Sequence, residues 1–118
     1  MVTSFRELIV WQKAMLLCKE VYRATCQFPN DERFGLTSQV RRAVVSIASN
    51  IAEGQGRSSP ADFVRFLYIA RGSVHEVMTQ LELANMLGML HDDMFCPLET
   101  QTEEVARLLF GLIRSLDR

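Results

Sequence analysis

Apolar residues recur every three or four positions from Leu36 to Ile51: Leu36, Val40, Ala43, Val44, Ile47, Ile51. At about 100° per residue, that spacing places them all on one face of a helix. The same rhythm returns in three other segments. No stretch of alternating polar and apolar residues is long enough to suggest a sheet. The pattern therefore predicts an all-α chain of four helices. Short loops between long helices favour an antiparallel up-down-up-down four-helix bundle.

The first helix is predicted from about Arg6 to Gln27, stopped by "FPN". It carries two apolar seams. The first is Leu8, Trp11, Met15, Cys18, Tyr22, and the second is Val10, Ala14, Leu17, Val21, Phe28. They lie roughly 110° apart, wider than one core needs. Either the helix is deeply buried or its second seam meets another subunit. The second helix is predicted from about Leu36 to Glu53. Gln39, Arg42, Ser46, Ser49, Asn50 and Glu53 lie on its other side, and Gly54 and Gly56 are expected to end it by adopting the left-handed conformation.

The third helix has the clearest start. "SSPAD" offers Ser59 as N-cap, Pro60 in the first turn and Asp62 as the carboxylate of a capping box. Its stripe runs Phe63, Phe66, Leu67, Ala70, Val74, Val77, Leu81, Ala84, Leu87, with Gly88 at its end. Gly72 lies mid-helix, where glycine costs about 1 kcal/mol against alanine, and close approach of a neighbouring backbone would account for it. The fourth helix spans about Asp92 to Leu116, with Leu98, Val105, Leu108, Leu109, Leu112, Ile113 and Leu116 as its stripe. Asp92 and Asp93 suit its positive end. Pro97 predicts either a kink or a regular helix that begins near Cys96.

At 118 residues, the chain suits one domain, 1–118, with a single core. No apolar run approaches the roughly 18 residues of a membrane span. "LIVWQKAMLLC" is broken by Gln12 and Lys13, and with no signal peptide ahead of it the expected location is the cytosol, without a membrane partner. Cys18, Cys26 and Cys96 are odd in number and lack the paired spacing of a zinc or redox motif, so they read as free structural thiols.

The net charge of −1 is unevenly spread. Residues 1–57 carry eight basic and five acidic groups, and residues 58–118 carry five basic and nine acidic. A dedicated nucleic-acid binder usually shows a clearer basic excess. A basic face on the N-terminal half stays open as a reading.

No residues assemble into a recognisable catalytic pattern. His75 and His91 lack partners at the spacing of a dyad or zinc site. The serines have no nucleophile-elbow context, and "GQG" does not follow a strand as a phosphate loop does. The Glu-x-x-His pairs of a di-iron bundle are missing. No catalytic, metal or cofactor-binding residue is therefore assigned, and the chain reads as non-enzymatic. Arg42, Asn50, Glu53, Glu76 and Gln80 form a predicted structural polar network between helices, since buried polar groups must be satisfied. Arg41, Arg42, Arg57, Arg65 and Arg71 are the candidates for nucleic-acid contact.

Four blocks carry a family resemblance: "FRELIVWQKAM" (Phe5–Met15), "FGLTSQVRRAVVSIASNIAEGQGR" (Phe34–Arg57), "FVRFLYIARGSVHEV" (Phe63–Val77) and Leu87-Gly88. With these, the chain resembles the four helix bundle family that includes proteins encoded in intervening sequences of bacterial large-subunit ribosomal RNA genes. The accessory protein of diversity-generating retroelements belongs to the same family. Ala48 departs from the proline common among relatives, which predicts a straighter second helix, and Pro97 is not a family feature. The resemblance implies an antiparallel bundle assembling into a ring, most plausibly a homopentamer. It does not imply an enzyme. Its retroelement members bind a reverse transcriptase and nucleic acid through a basic surface.

Two expectations follow. One is a cytosolic, non-enzymatic, homo-oligomeric scaffold or interaction protein. The other is a nucleic-acid-binding accessory protein, partnering a reverse transcriptase.

Overall fold

The computed structural model describes residues 3–117. Its helices are α1 (Ile9–Thr25), α2 (Leu36–Gln55), α3 (Pro60–Met86) and α4 (Asp92–Leu116), and the described residues contain no strand. Each helix packs on the next, and α4 closes back on α1.

The direction of each helix follows from which residues meet. Thr25, at the end of α1, accepts a hydrogen bond from Arg41 near the start of α2, while Trp11 shares a groove with Ala52 near the end of α2. Ser73 Oγ donates to Ser46 Oγ across α2 and α3 (2.9 Å). Gly54 lies against Phe63 and Phe66 at the start of α3. Phe110 lies beside Tyr68, and Glu99 beside Leu81. Lys13 Nζ pairs with Glu104 Oε1 (3.7 Å), and Ala24 lies beside Met94. Every neighbouring pair is antiparallel, so the bundle is up-down-up-down.

One continuous core joins all four stripes. Leu17, Val21, Val40, Val44, Ile47, Ile51, Leu67, Val74, Val77 and Leu109 have no exposed surface. Burying a side chain of this size contributes roughly 1.5–3 kcal/mol each. Leu87 departs from the predicted stripe, because α3 ends before it and leaves it exposed.

The entry to α1 is broken where periodicity predicts continuous helix. Leu8 is extended (ψ 123°), and residues Phe5–Glu7 form a separate 3-10 turn. Local contacts hold that break. Ser4 Oγ accepts from the Arg6 amide (3.2 Å), and Gln12 Nε2 donates to the Arg6 carbonyl (2.8 Å). Phe5 meets Trp11 edge-on, with ring centroids 5.1 Å apart. At the far end, α1 stops at Thr25, two residues before Gln27.

The glycines play different parts from those predicted. Gly54 does not end α2: it is buried inside the last turn, and Gly56 follows in right-handed conformation. A Cβ at Gly54 would lie 2.7 Å from Phe66 Cβ, so glycine is there to let α3 approach α2. At Gly72 a Cβ would meet nothing within 4 Å, so no neighbouring backbone of this chain accounts for it. Gly88 does end α3 as predicted, with φ 78°. The Met89 amide donates to Ala84 O and the Gly88 amide to Asn85 O, the paired bonds of a Schellman motif.

Ser59 caps α3 as predicted, its Oγ accepting from the Asp62 amide (3.1 Å). Pro97 neither delays α4 nor starts it. The helix runs from Asp92 through the proline to Leu116, with the Phe95 amide bonded to His91 O (2.8 Å) and the proline exposed within it. Asn85 pins the α3–α4 turn by donating to Leu90 O (2.9 Å) and Asp92 Oδ1 (2.8 Å). Ala48 sits buried in an unbroken α2.

Candidate functional site

The five residues predicted as a polar network do not bond to one another. Asn50 turns back along its own helix, with Nδ2 donating to Ser46 O (2.8 Å) and Ser46 Oγ (3.0 Å). Glu53 pairs with Arg57 one turn on (3.1 Å). Arg42, Glu76 and Gln80 do come together along an open α2–α3 groove with Phe34 and Gln39. Arg42 and Glu76 form no ion pair there, and Gln80 Oε1 is buried without a partner. The polar link between α2 and α3 is instead the short Ser46–Ser73 contact, possible because two small side chains face each other.

The five candidate arginines do not form one surface. Arg41 folds onto α1, where Nε donates to Thr25 Oγ1 (2.8 Å) and the guanidinium lies 4.6 Å from the Tyr22 ring centre. Arg57 and Arg65 both stack on Phe66, each 4.7 Å from its ring centre, beside Glu53 and Asp62. Arg42 lies in the α2–α3 groove. Only Arg71 reaches the seam between α3 and α4.

That seam holds an open groove of about 610 Å³. Arg71 and Tyr68 of α3 line it, facing Arg107, Phe110 and Arg114 of α4. Asp117 is the single carboxylate among the described residues on its wall. None of the three arginines makes an ion pair among the described residues. Tyr68 is 48% exposed and Phe110 55%, and Arg114 lies 5.6 Å from the Phe110 ring centre. Three guanidinium forks beside two uncovered aromatic rings can hold anionic oxygens and planar apolar groups together.

Sequence reasoning found Arg71 but missed Arg107, Arg114, Tyr68 and Phe110. The signal was there. Helices that double back at residues 88–91 bring together positions equidistant from Met89, so Tyr68 meets Phe110 and Arg71 meets Arg107. Farther toward the turn the same seam becomes acidic, with Glu82, Glu99 and Glu103 around Met78 and Phe95.

The opposite side of the bundle is apolar. Trp11, Met15 and Cys18 of α1 and Val45, Ala48, Ser49 and Ala52 of α2 line a groove of about 350 Å³. Met15 is 45% exposed and Val45 41%. The two seams of α1 divide here. The second is wholly buried in this chain's own core, so it is the first, through Trp11, Met15 and Tyr22, that reaches the surface.

Cys18 lies at the floor of that groove and donates through Sγ to Val44 O (3.2 Å). Burial pushes its pKa up to about 11, partly offset by a hydrogen bond accepted from its own backbone amide, so at neutral pH it is a protonated thiol. Cys26 and Cys96 are exposed, and all three are free. No group of three or more His, Cys, Asp or Glu is placed to hold a metal among the described residues. Nor is any described helix long and apolar enough to cross a membrane.

The model of the 23S rRNA-intervening sequence protein family matches residues 6–111. A solved structure from Bacteroides thetaiotaomicron VPI-5482, a protein of unknown function from the S23 ribosomal protein family, has the same fold. It is similar at TM-score 0.80 and 24% identity, covering 89% of this chain and 98% of that one. No curated protein matches the chain.

Proposed function

The chain belongs to the 23S rRNA-intervening sequence protein family, and on that premise we propose that it is a non-enzymatic, homo-oligomeric helical bundle that acts in the cytosol as a scaffold or interaction protein. The supporting observation is the open apolar groove between α1 and α2. Met15 and Val45 stand half exposed above a floor that includes Cys18 and Ala48. An apolar strip on a small bundle marks a surface to be covered. A ring, the pentamer that the family resemblance implies, uses heterologous contacts and so covers this groove with a different face of the neighbour. Multi-angle light scattering at micromolar concentration should report a particle several times the 13.5 kDa chain mass. A monomer would sink the reading.

A second reading is a nucleic-acid-binding accessory protein, with a reverse transcriptase as the partner that the resemblance suggests. The basic α3–α4 groove favours it, because arginines without carboxylate partners are suited to phosphate. Binding of RNA or DNA at low salt tests this reading, and its absence defeats it.

A further inference from the structure

We infer that the α3–α4 groove is a single-strand site, in which Arg71, Arg107 and Arg114 hold phosphates while Tyr68 and Phe110 carry unstacked bases. This rests on the nucleic-acid reading and names its ligand and its residues.

Charge is the first argument. Three guanidinium groups face one carboxylate, Asp117, on a chain whose net charge is −1. Three of the other candidate arginines are engaged, and Arg42 lies alone in the α2–α3 groove. Arg41 is bonded to α1, and Arg57 and Arg65 are stacked on Phe66 beside acidic neighbours. The groove thus gathers three guanidinium groups with no ion-pair partner among the described residues.

The aromatic rings decide the form of the ligand. Half-exposed rings beside guanidinium groups form a stacking platform, and stacking needs a base whose face is free. A duplex keeps its base faces stacked inside and offers only backbone and groove edges. A free phosphate or polyphosphate would use the arginines but gives Tyr68 and Phe110 nothing to do. Size agrees, because a cleft of about 610 Å³ lies within the usual range of roughly 300–1,000 Å³ for a small ligand. The acidic stretch at Glu82, Glu99 and Glu103 confines a strand to the end of the seam away from the turn.

The test is fluorescence anisotropy of the full chain with a short labelled oligopyrimidine, as single strand and as duplex. The single strand should bind at low salt, and more tightly than the duplex. Log affinity against log salt should have a slope of about −2, from three phosphates at about −0.7 each. Arg71→Gln with Arg107→Gln should weaken binding and flatten that slope to about −0.7. Tyr68→Ala and Phe110→Ala should each cost roughly tenfold or more while leaving the slope in place. These positions are exposed, so each variant should keep its helices, which circular dichroism checks. If no nucleic acid binds at any salt, both the accessory reading and this site fall. Binding that is unmoved by the arginine variants keeps the reading and overturns the site. Equal binding of duplex and single strand, or arginine dependence without aromatic dependence, overturns the single-strand assignment alone.

Discussion

The two long seams on opposite sides of the bundle are built from the same kind of helix and end up with opposite characters. Between α1 and α2, the residues that escape the core are Met15 and Val45 over Cys18, Ala48 and Ala52. Between α3 and α4, at the end away from the connecting turn, they are arginines and aromatic rings. Core packing does not explain the difference, because both seams close over fully buried aliphatic side chains. What differs is the outer rim, which the fold leaves free to vary. One rim is shaped for another apolar surface and the other for an anion with a flat face.

The largest expected effect comes from placing a charge on the apolar rim. Met15→Glu should convert the particle measured by light scattering to monomer while the circular dichroism spectrum stays helical. Tyr68→Ala on the opposite rim should leave assembly unchanged. If the two swap effects, the assignment of the seams is reversed.

The seam between α2 and α3 supplies a reference that belongs to neither. Gly54→Ala would press a Cβ within 2.7 Å of Phe66 Cβ. Overpacking of this kind should cost about 1–3 kcal/mol in urea unfolding. Gly72→Ala meets nothing within 4 Å and removes a glycine from mid-helix. It should stabilise the isolated subunit by up to about 1 kcal/mol. A similar loss at both positions would mean that the α2–α3 approach is not set at Gly54.

Cys18 reports on the dryness of the apolar seam. Its folded pKa of about 11 lies above the ordinary value of 9.0. The folded state therefore holds the proton more tightly than the unfolded chain does. This stabilising contribution is complete below about pH 9 and is lost as pH rises through about 11. The stability difference between wild type and Cys18→Ala should shrink over that window. A constant difference would mean that the thiol is solvated. The smallest effect belongs to the basic rim. Asp117→Asn removes its carboxylate from the groove wall and should tighten single-strand binding by no more than about fivefold, as for other exposed charge pairs.

Periodicity was enough to find all four helices, the Ser59 cap, the Gly88 terminator and nearly every buried aliphatic position. These depend on neighbours three or four residues away, which a single sequence displays. It was not enough for the break at Leu8, which depends on Phe5 reaching Trp11 and Gln12 reaching back to Arg6. Nor did it reveal that Gly54 serves packing, because its partners Phe63 and Phe66 lie across a turn. The arginines were the least legible. A guanidinium can fold onto its own helix, a neighbouring ring or a distant seam, and composition treats all three alike. Counting charge by halves hid Arg107 and Arg114 among the acids of α4, where only the register of the α3–α4 turn brings them to Arg71. Asn50 and Glu53 found partners one turn away along the chain, Ser46 and Arg57, so their spacing carried no information about a neighbour.

The opposite placement of the two seams has a consequence for how strongly such a molecule could grip a strand. A groove with three cations alone is a weak binder at physiological salt, since each phosphate contact is eroded by counterions. Copies assembled in a ring would hold several grooves at fixed separations on one particle. A strand held in one groove then meets the next at a high effective concentration, and avidity can exceed the single-site affinity by roughly 10²–10⁴ without a new contact. Strand length would then act as a selector, with short fragments released and those long enough to span two grooves retained.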